Sequence, residues 1–437
     1  MRIIQIIPGS GGSFYCGNCL RDSKFVEALR ASDHQVTKIP MYLPLFADEH
    51  DLTGEIPVFY GAISIYLKQQ FPLFRKAPAW LDRMLNAKPM LKLASRFAGS
   101  TRAAGLEEMT VSMLLGEEGQ QKAELDKMVD WIAEHCKPDV IHLSNALLVG
   151  LALRLREKIG VPVICSLQDE DQWVDVMQPS SRKMVWDLMS KRGEHITKFI
   201  AVSSWYAEEM KKVMHLPEER LERVHIGVYP ENYSFRLPSE KKRNIGYVSR
   251  MCHDLGMDIL VDAFILLKQD RAFDDVELHI TGGSTGDDRK FIHSQKRRIH
   301  QHGLSDMVKY HGDFEAQGLK DFFSEVAVIS VPVRKGEAFG IYLLESMSSG
   351  VPVVQPALGA FPEIVALSGG GITYEPNTPE ALVAALKQML SDPQQLDDIA
   401  RKGREGVERH FHVEGQVHKM LEVYKSVTQE AGVLVSR

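Results

Sequence analysis

The stretch "RKGEAFGIYLLESMSSGVPVV", residues 334–354, contains the order of elements that decides the fold. A polar loop leads into a helix-like run that begins near Gly340, and Gly350 ends that run. An almost wholly apolar segment follows at once, as a strand that is buried on both faces of a parallel sheet requires. A loop, a helix and a buried strand in this order are typical of α/β domains.

The same alternation of strand and helix extends along most of the chain, in two series. The strands are predicted at 2–7, 139–143, 161–167, 199–203, 244–249, 276–281, 327–332 and 351–355. The stretch 230–243 separates the series, because it is polar, contains two prolines and lacks helical periodicity. We therefore predict an α/β fold in which two doubly wound, Rossmann-like domains face each other across a cleft. The predicted bounds are 1–235 and 236–411, with a helix at about 412–430 that packs back on the first domain.

The bulk composition excludes several classes of protein. A length of 437 residues suits two domains, and a net charge of −6 provides no basic field for nucleic acid. The five cysteines are few and odd in number, which favours a reduced, cytoplasmic protein. No apolar run approaches the roughly 20 residues that a membrane-spanning helix needs.

Two glutamates, Glu337 and Glu345, lie on either side of the start of the helix predicted after Gly340. The glycine allows a ligand to approach the backbone, and the first helical turn offers N–H groups to a phosphate. Glu345 lies five residues beyond Gly340, roughly 7–8 Å along the helix axis. This spacing fits a sugar ring at Glu337, a diphosphate at the helix start and a ribose diol at Glu345. The alternatives are a helix cap with a solvated Glu345, or the carboxylate pair of a hydrolase, although nothing nearby activates a water.

The segment "EAFGIYLLESMSSGVPVV" resembles the signature of the family-4 glycosyltransferases of the GT-B fold. Further stretches that resemble the family lie at 138–143, 199–210, 278–284, 312–332 and 359–365. The resemblance implies a nucleotide-diphosphate sugar bound by the second domain and an acceptor bound by the first, with domain closure that excludes water. It also implies retention of the anomeric configuration, no metal and no cofactor. The donor contacts that it implies, beside Glu337 at the reacting sugar, are Phe339, Gly340, Ile341, Glu345, Gly11 and Gly12.

The chain departs from the family pattern at a position that is positively charged in the family. Arg250 matches an arginine of the family, but Leu255 stands where the family has a lysine. A leaving diphosphate needs positive charge around it, so we expect a second cation at the site. Lys335 is the first candidate, with a solvated lysine as the alternative, and Arg334 and His253 follow.

Two further departures lie outside the signature. Gln168 stands where the family has a histidine near the reacting sugar, and a glutamine can hydrogen-bond but cannot titrate. The acidic run 169–171 beside it suits acceptor hydroxyls, although a solvated loop is the favoured interpretation for Glu170. Ile226 and Tyr229 replace polar residues of the family pattern. These departures leave two alternatives open, a nucleotide-sugar isomerase on the same fold and a non-catalytic protein that binds the donor.

Two other features are ambiguous. Cys16 and Cys19 form a C-x-x-C pair, and a zinc site would need two more ligands, such as Cys252 and His253. Buried reduced thiols are the favoured interpretation, so no metal site is predicted.

The stretch 67–102 contains eight Lys or Arg residues and one acid. It suits a peripheral contact with the inner face of a membrane or with an anionic acceptor. An insertion packed on the domain is favoured instead, because Pro78 and Pro89 interrupt any long helix. The acceptor itself is expected to be a glycan, a lipid or a small molecule.

Overall fold

The chain forms two compact units in a computed structural model that describes residues 1–8, 17–41, 59, 106–312 and 316–435. One unit contains the first strand, Asn18–His225 and the chain from Val417 onward, and the other contains Ile226–Gln416. The change of unit lies between His225 and Ile226, whereas the sequence placed it after residue 235.

The first unit is built on a six-stranded sheet in which all paired strands are parallel. Its strands are β1 (Arg2–Ile7), β2 (Gln35–Pro40), β3 (Val140–Leu143), β4 (Val163–Leu167), β5 (Lys198–Ala201) and β6 (Leu221–Arg223), in the order β2-β1-β3-β4-β5-β6. Its helices, numbered over the described residues, are α1 (Gly17–Ala31), α2 (Glu107–Leu114), α3 (Lys122–His135), α4 (Ala152–Ile159), α5 (Glu170–Val174), α6 (Pro179–Gly193) and α7 (Ser204–Met214). Strands β3 and β4 are buried along their whole length, which explains their apolar sequences.

The second unit repeats this architecture. Its strands are β7 (Ile245–Val248), β8 (Leu278–Thr281), β9 (Val308–Tyr310), β10 (Val328–Ile329), β11 (Val353–Pro356) and β12 (Gly371–Tyr374), in the order β12-β11-β10-β7-β8-β9. Its helices are α8 (Met257–Leu267), α9 (Arg289–Gln301), α10 (Ala316–Glu325), α11 (Ile341–Ser348), α12 (Phe361–Ser368), α13 (Pro379–Leu390) and α14 (Pro393–His410). The predicted α/β class, with two doubly wound parallel sheets, is confirmed.

The last helix, α15 (Val413–Val435), begins in the second unit and continues into the first. Its Tyr424 is fully buried, and the hydroxyl of Tyr424 lies 2.8 Å from Nδ1 of His142 in β3. The other ring nitrogen of His142 lies 2.8 Å from the hydroxyl of Ser166 in β4. A buried polar chain therefore ties α15 to the centre of the first sheet.

The strand order decides where ligands bind in each unit. In the second sheet β7 has β10 on one side and β8 on the other, so the connections from the neighbouring strands β7 and β10 leave in opposite directions. Such a switch point opens a crevice at the carboxyl ends of the strands. The loops that follow β7 and β10 are therefore the first place to look for a site. No helix in the described part of the chain combines the length and hydropathy that crossing a bilayer demands.

Candidate functional site

Helix α11 begins and ends as the sequence predicted. Gly340 precedes it in the left-handed conformation, with φ +87°. A Cβ atom at Gly340 would lie 3.0 Å from the ring of Phe361 and 3.1 Å from Oε2 of Glu337, so the position requires glycine. At the other end Gly350 has φ +72°, and its N–H donates to the carbonyl of Met347. This is the left-handed helix stop that ends many helices.

Glu337 is held in a fixed position beside the start of α11. It is only 9% exposed, and its Oε2 accepts a hydrogen bond of 2.8 Å from the hydroxyl of Tyr342. Its backbone carbonyl accepts a bond of 3.1 Å from the N–H of Ala360. Gly359 packs so closely that a Cβ there would lie 2.5 Å from the Glu337 nitrogen. The carboxylate of Glu337 is therefore held from the helix, and its backbone is held by the loop after β11.

Glu345 lies in the second turn of α11 and is 1% exposed. Its Oε1 accepts a hydrogen bond of 2.7 Å from the hydroxyl of Tyr233. Burial, together with the negative charge of Glu345, raises the pKa of Tyr233 far above its usual value. Tyr233 thus stays a donor and orients the carboxylate. The alternative of a solvated Glu345 is wrong.

Arg250 follows β7 and is fixed by a buried acid. Its Nε and Nη2 each lie 2.9 Å from an oxygen of Asp288, and Nη2 lies 3.4 Å from the Thr285 hydroxyl. Asp288 is only 5% exposed and closes a capping box with Thr285. Its hydrogen bonds raise the pKa of Arg250 above the ordinary value. One third of the Arg250 side chain stays exposed, so this oriented cation can still meet a ligand.

The loops that follow β7 and β10 pack against each other. The backbone N–H of Arg334 donates to the carbonyl of Asp254 at 3.0 Å, and its guanidinium reaches Asp258 at 2.5 Å. Gly256 approaches so closely that a Cβ there would lie 1.8 Å from the carbonyl oxygen of Pro332. The structure thus joins the loop of Arg250 to the loop that leads to Glu337.

The remaining predicted site residues differ in their solvent exposure. Lys335 is exposed on the loop before Glu337. The side chains of Phe339 and Ile341 are 2% and 4% exposed, and the ring of Phe339 packs on that of Phe411. The side chains of these two residues therefore pack in the hydrophobic core. The predicted Gly11 and Gly12, the Cys16 of the C-x-x-C pair and the basic stretch 67–102 lie outside the described residues.

In the first unit, Gln168 follows β4 and turns toward the loop after β3. Its Nε2 donates to the carbonyl of Ser144 at 2.5 Å. Its Oε1 and the hydroxyl of Ser144 are buried and have no hydrogen-bond partner among the described residues. Buried polar atoms normally have partners, so this pair suits the hydroxyl groups of a ligand. Both residues lie at the carboxyl end of the sheet, where ligands of such folds bind.

Glu170 has a different role from the one the sequence favoured. It is 1% exposed, and it accepts hydrogen bonds from the N–H groups of Ala146 and Gln168 and from the Tyr206 hydroxyl at 2.7–2.8 Å. The interpretation as a solvated loop residue is therefore wrong. Burial raises the pKa of Glu170 to about 7. Burial also raises the pKa of Asp171 to about 6, with the charge of Asp169 as the second cause. Because its oxygens are engaged, Glu170 locks the loops after β3 and β4 together.

Three residues around the donor site in the second unit were not predicted from the sequence: Tyr233, Tyr342 and Asp288. The pattern Thr285-x-x-Asp288 is a capping-box signal and could have revealed the buried acid. The two tyrosines had no such signal, because their partners are brought to them only by packing.

Two family models match adjacent parts of the chain. The model described as "Glycosyltransferase Family 4" matches residues 111–232, and the model described as "Glycosyl transferases group 1" matches residues 230–406. Together they extend over 111–406, which is more than half of the 437 residues.

Individual relatives and solved structures agree with these matches. An uncharacterised glycosyltransferase of Methanocaldococcus jannaschii is 25% identical over 68% of this chain and 77% of its own length. A lipopolysaccharide core biosynthesis mannosyltransferase of Rhizobium meliloti is 30% identical over 43% of this chain, which is 52% of that relative. Among solved structures, the sucrose-phosphate synthase of Thermosynechococcus elongatus has a TM-score of 0.70 at 17% identity, over 98% of this chain and 100% of that one. The Anabaena protein HepE, in complex with UDP-glucose, has a TM-score of 0.66 at 16% identity, with the same coverage. The chain therefore belongs to the family-4 glycosyltransferases of the GT-B fold.

Proposed function

We propose that the protein transfers a sugar, a hexose in our view, from a nucleotide-diphosphate sugar to a hydroxylated acceptor. One observation carries the proposal: two buried carboxylates, each oriented by a tyrosine hydroxyl, lie at the start and in the second turn of α11. The names of the relatives support the donor class, since one is a mannosyltransferase and a fold neighbour binds UDP-glucose.

In this proposal the second unit binds the donor along α11. The diphosphate meets the amino end of the helix at Gly340, where backbone N–H groups and the helix dipole favour negative charge. Glu345 accepts hydrogen bonds from the ribose diol, and Glu337 accepts them from sugar hydroxyls. Arg250 contributes the positive charge from the neighbouring loop.

The transfer itself proceeds with retention and without a catalytic metal. The acceptor oxygen forms a bond to the anomeric carbon as the bond from that carbon to the diphosphate oxygen breaks. The acceptor proton passes to the leaving phosphate, so no side chain has to act as a base. The chain therefore has to supply charge stabilisation and positioning. The non-titrating Gln168 is compatible with such a reaction.

The first unit binds the acceptor in this proposal. The Oε1 of Gln168 and the hydroxyl of Ser144, which have no partner among the described residues, offer one acceptor and one donor to a hydroxylated ligand. A glycan, a lipid headgroup or a small polyol would each present such hydroxyls. We also place the protein in the cytoplasm, where nucleotide sugars are available and its cysteines stay reduced.

A thermal-shift screen tests the donor class. UDP, GDP and ADP are compared with their glucose and mannose conjugates. A ligand present at 100 times its dissociation constant should stabilise the protein by about 2.7 kcal/mol. The hit is then incubated with candidate acceptors: a glycosylated acceptor supports transfer, an altered sugar nucleotide indicates an isomerase, and binding without turnover indicates a non-catalytic protein. No shift with any nucleotide diphosphate or conjugate would contradict the proposal.

Replacing Glu345 with alanine should weaken binding of the bare nucleotide diphosphate. The change removes a charged acceptor, and such a hydrogen bond is worth about 1.5–3 kcal/mol. Titration calorimetry measures the effect, with the exposed Glu380→Ala as the matched control. Because alanine removes the carboxylate that accepts from the Tyr233 hydroxyl, Glu345→Gln serves as a gentler second variant. Parent affinity in a folded Glu345 variant would exclude the ribose role.

Replacing Glu337 with alanine should have a different signature. Affinity for the bare nucleotide diphosphate should stay close to that of the parent, because Glu337 contacts only the sugar. Affinity for the sugar conjugate should fall by the same roughly 1.5–3 kcal/mol. Equal losses of affinity for both ligands would contradict the assignment of Glu337 to the sugar and of Glu345 to the ribose.

A further inference from the structure

A second cluster of side chains in the Ile226–Gln416 unit has no part in the proposed transfer. Among the described residues, His279, His311 and Glu325 each offer a ligand atom, and these atoms all lie within 4.8 Å of one another. Nε2 of His311 lies 3.2 Å from Nδ1 of His279, and the same Nδ1 lies 3.4 Å from Oε2 of Glu325. Two imidazole nitrogens and a carboxylate oxygen thus lie close to one another.

These separations match those of a tetrahedral metal site. Bonds of about 2.0–2.1 Å to zinc place neighbouring ligand atoms roughly 3.3–3.5 Å apart. The two measured edges are 3.2 and 3.4 Å. The third pair, between His311 and Glu325, is longer, but the Glu325 side chain is 46% exposed and can turn. Nitrogen and oxygen ligands in this geometry are typical of zinc sites.

The surroundings of His279 also favour a cation at its Nδ1. The ring is fully buried, and its other nitrogen, Nε2, lies 3.3 Å from Oε2 of Glu277 and 3.2 Å from Nδ2 of Asn244. A neutral imidazole has one N–H, so only one of the carboxylates at its two nitrogens can receive a hydrogen bond. With a metal ion on Nδ1 both carboxylates are engaged, because Glu325 binds the ion and Nε2–H donates to Glu277. Asn244 then gives up its contact with Nε2 but keeps its bonds to the Glu325 carbonyl and to the N–H of Glu277. A carboxylate behind a metal-binding histidine is the common arrangement.

Two glutamates and two lysines lie around the cluster. Glu277 lies 2.8 Å from the ammonium of Lys309 and 3.5 Å from that of Lys242, so it neutralises part of their positive charge. The carboxylate of Glu325 faces the proposed metal position directly. The partly exposed ligands leave the fourth position to water.

Two of the three proposed ligands lie toward the amino ends of the strands, and the third, His311, follows the short edge strand β9. His279 is the second residue of β8 and Glu325 ends α10 just before β10, so both lie toward the amino ends of the strands. Arg250 and Gly340 follow the carboxyl ends of β7 and β10. A metal here would tie the edge strand β9, which His311 follows, and helix α10 to the interior strand β8.

We propose that His279, His311 and Glu325 bind one Zn²⁺ ion that stabilises the edge of the second sheet and takes no part in sugar transfer. No pattern in the sequence indicates this site. Its three residues are scattered along the chain with no metal-motif spacing, and only the pairing of β8 with β9 brings the histidines together.

The full chain, stripped with a chelator and dialysed, tests the proposal by titration with zinc alone. Calorimetry and elemental analysis should find one zinc per chain. His311→Ala should lower the affinity by about 100-fold or more, since even loss of a residue behind a ligand costs about 10–100-fold. Zinc at 100 times its dissociation constant should raise the melting transition of the second unit by about 5–10 °C. His302→Ala, an exposed histidine after α9, is the matched control.

Each other outcome contradicts the proposal. If zinc binds no more tightly to the parent than to His311→Ala, the two imidazoles are only a hydrogen-bonded pair. If zinc is lost on Cys16→Ser and kept on His311→Ala, the C-x-x-C pair is the metal site. Should His311→Ala fail to fold, the half-exposed Glu325→Gln serves instead, with the same expected loss of zinc affinity.

Discussion

Turnover is expected to fall by about 100–1000-fold when Arg250 is replaced by alanine, as is typical when one donor to a developing charge is removed. The leaving diphosphate gains negative charge as the glycosidic bond breaks, and Arg250 is the guanidinium that follows the switch-point strand β7. Asp288 holds that guanidinium by two bonds of 2.9 Å, so little reorganisation is needed during the reaction. An interaction that strengthens in the transition state lowers kcat more than it changes KM.

The same strand provides a matched control. Arg243 precedes β7, and its Nε and Nη2 both donate to the carboxylate of Asp275, as those of Arg250 do to Asp288. This pair lies at the amino end of the sheet. Arg243→Ala should therefore leave turnover at the parent rate. Because Arg250→Ala leaves the buried Asp288 without its cation, folding is checked by circular dichroism. A second variant, Arg250→Lys, keeps the positive charge but loses the two parallel hydrogen bonds of the guanidinium. Similar kinetics for the Arg243 and Arg250 variants would exclude the leaving-group role.

The sequence predicted the fold well because the fold is encoded locally. The apolar runs of the strands, the helix pattern after Gly340 and the stop at Gly350 each depend on neighbouring residues. The doubly wound arrangement then follows from general rules on parallel strands. Gly11 and Gly12 lie outside the described residues, so their predicted contacts with the donor stay predictions.

The site was predicted only in part, because side-chain environments are created by distant segments. Glu345 was recognised, but not that Tyr233, from a segment more than 100 residues away, donates to it. A solvated loop was the favoured interpretation for Glu170, whereas Tyr206 and two backbone N–H groups donate to its carboxylate. Burial decides such cases, and burial is a property of the whole fold.

The loop contacts also narrow the search for the second cation. Leu255 occupies the position of the family lysine, and its carbonyl accepts a bond of 3.3 Å from the Tyr247 hydroxyl. The guanidinium of Arg334 is engaged with Asp258 and with the carbonyl of His253. Lys335, which is exposed on the loop two residues before Glu337, stays the candidate that we propose.

Lys335→Ala should then lower turnover by about 100–1000-fold while changing donor affinity much less, since charge on the diphosphate grows only as the bond breaks. Lys335→Arg should retain most of the activity because it keeps the charge. Adding Leu255→Lys to Lys335→Ala should restore part of the rate, because an ammonium would return to the loop that Arg250 occupies. Initial rates and donor titrations measure both effects, and Lys402→Ala, on the exposed face of α14, is the control. A Lys335→Ala protein with the parent rate would show that Lys335 is a solvated loop lysine, and that Arg250 and the amides at Gly340 stabilise the diphosphate without it.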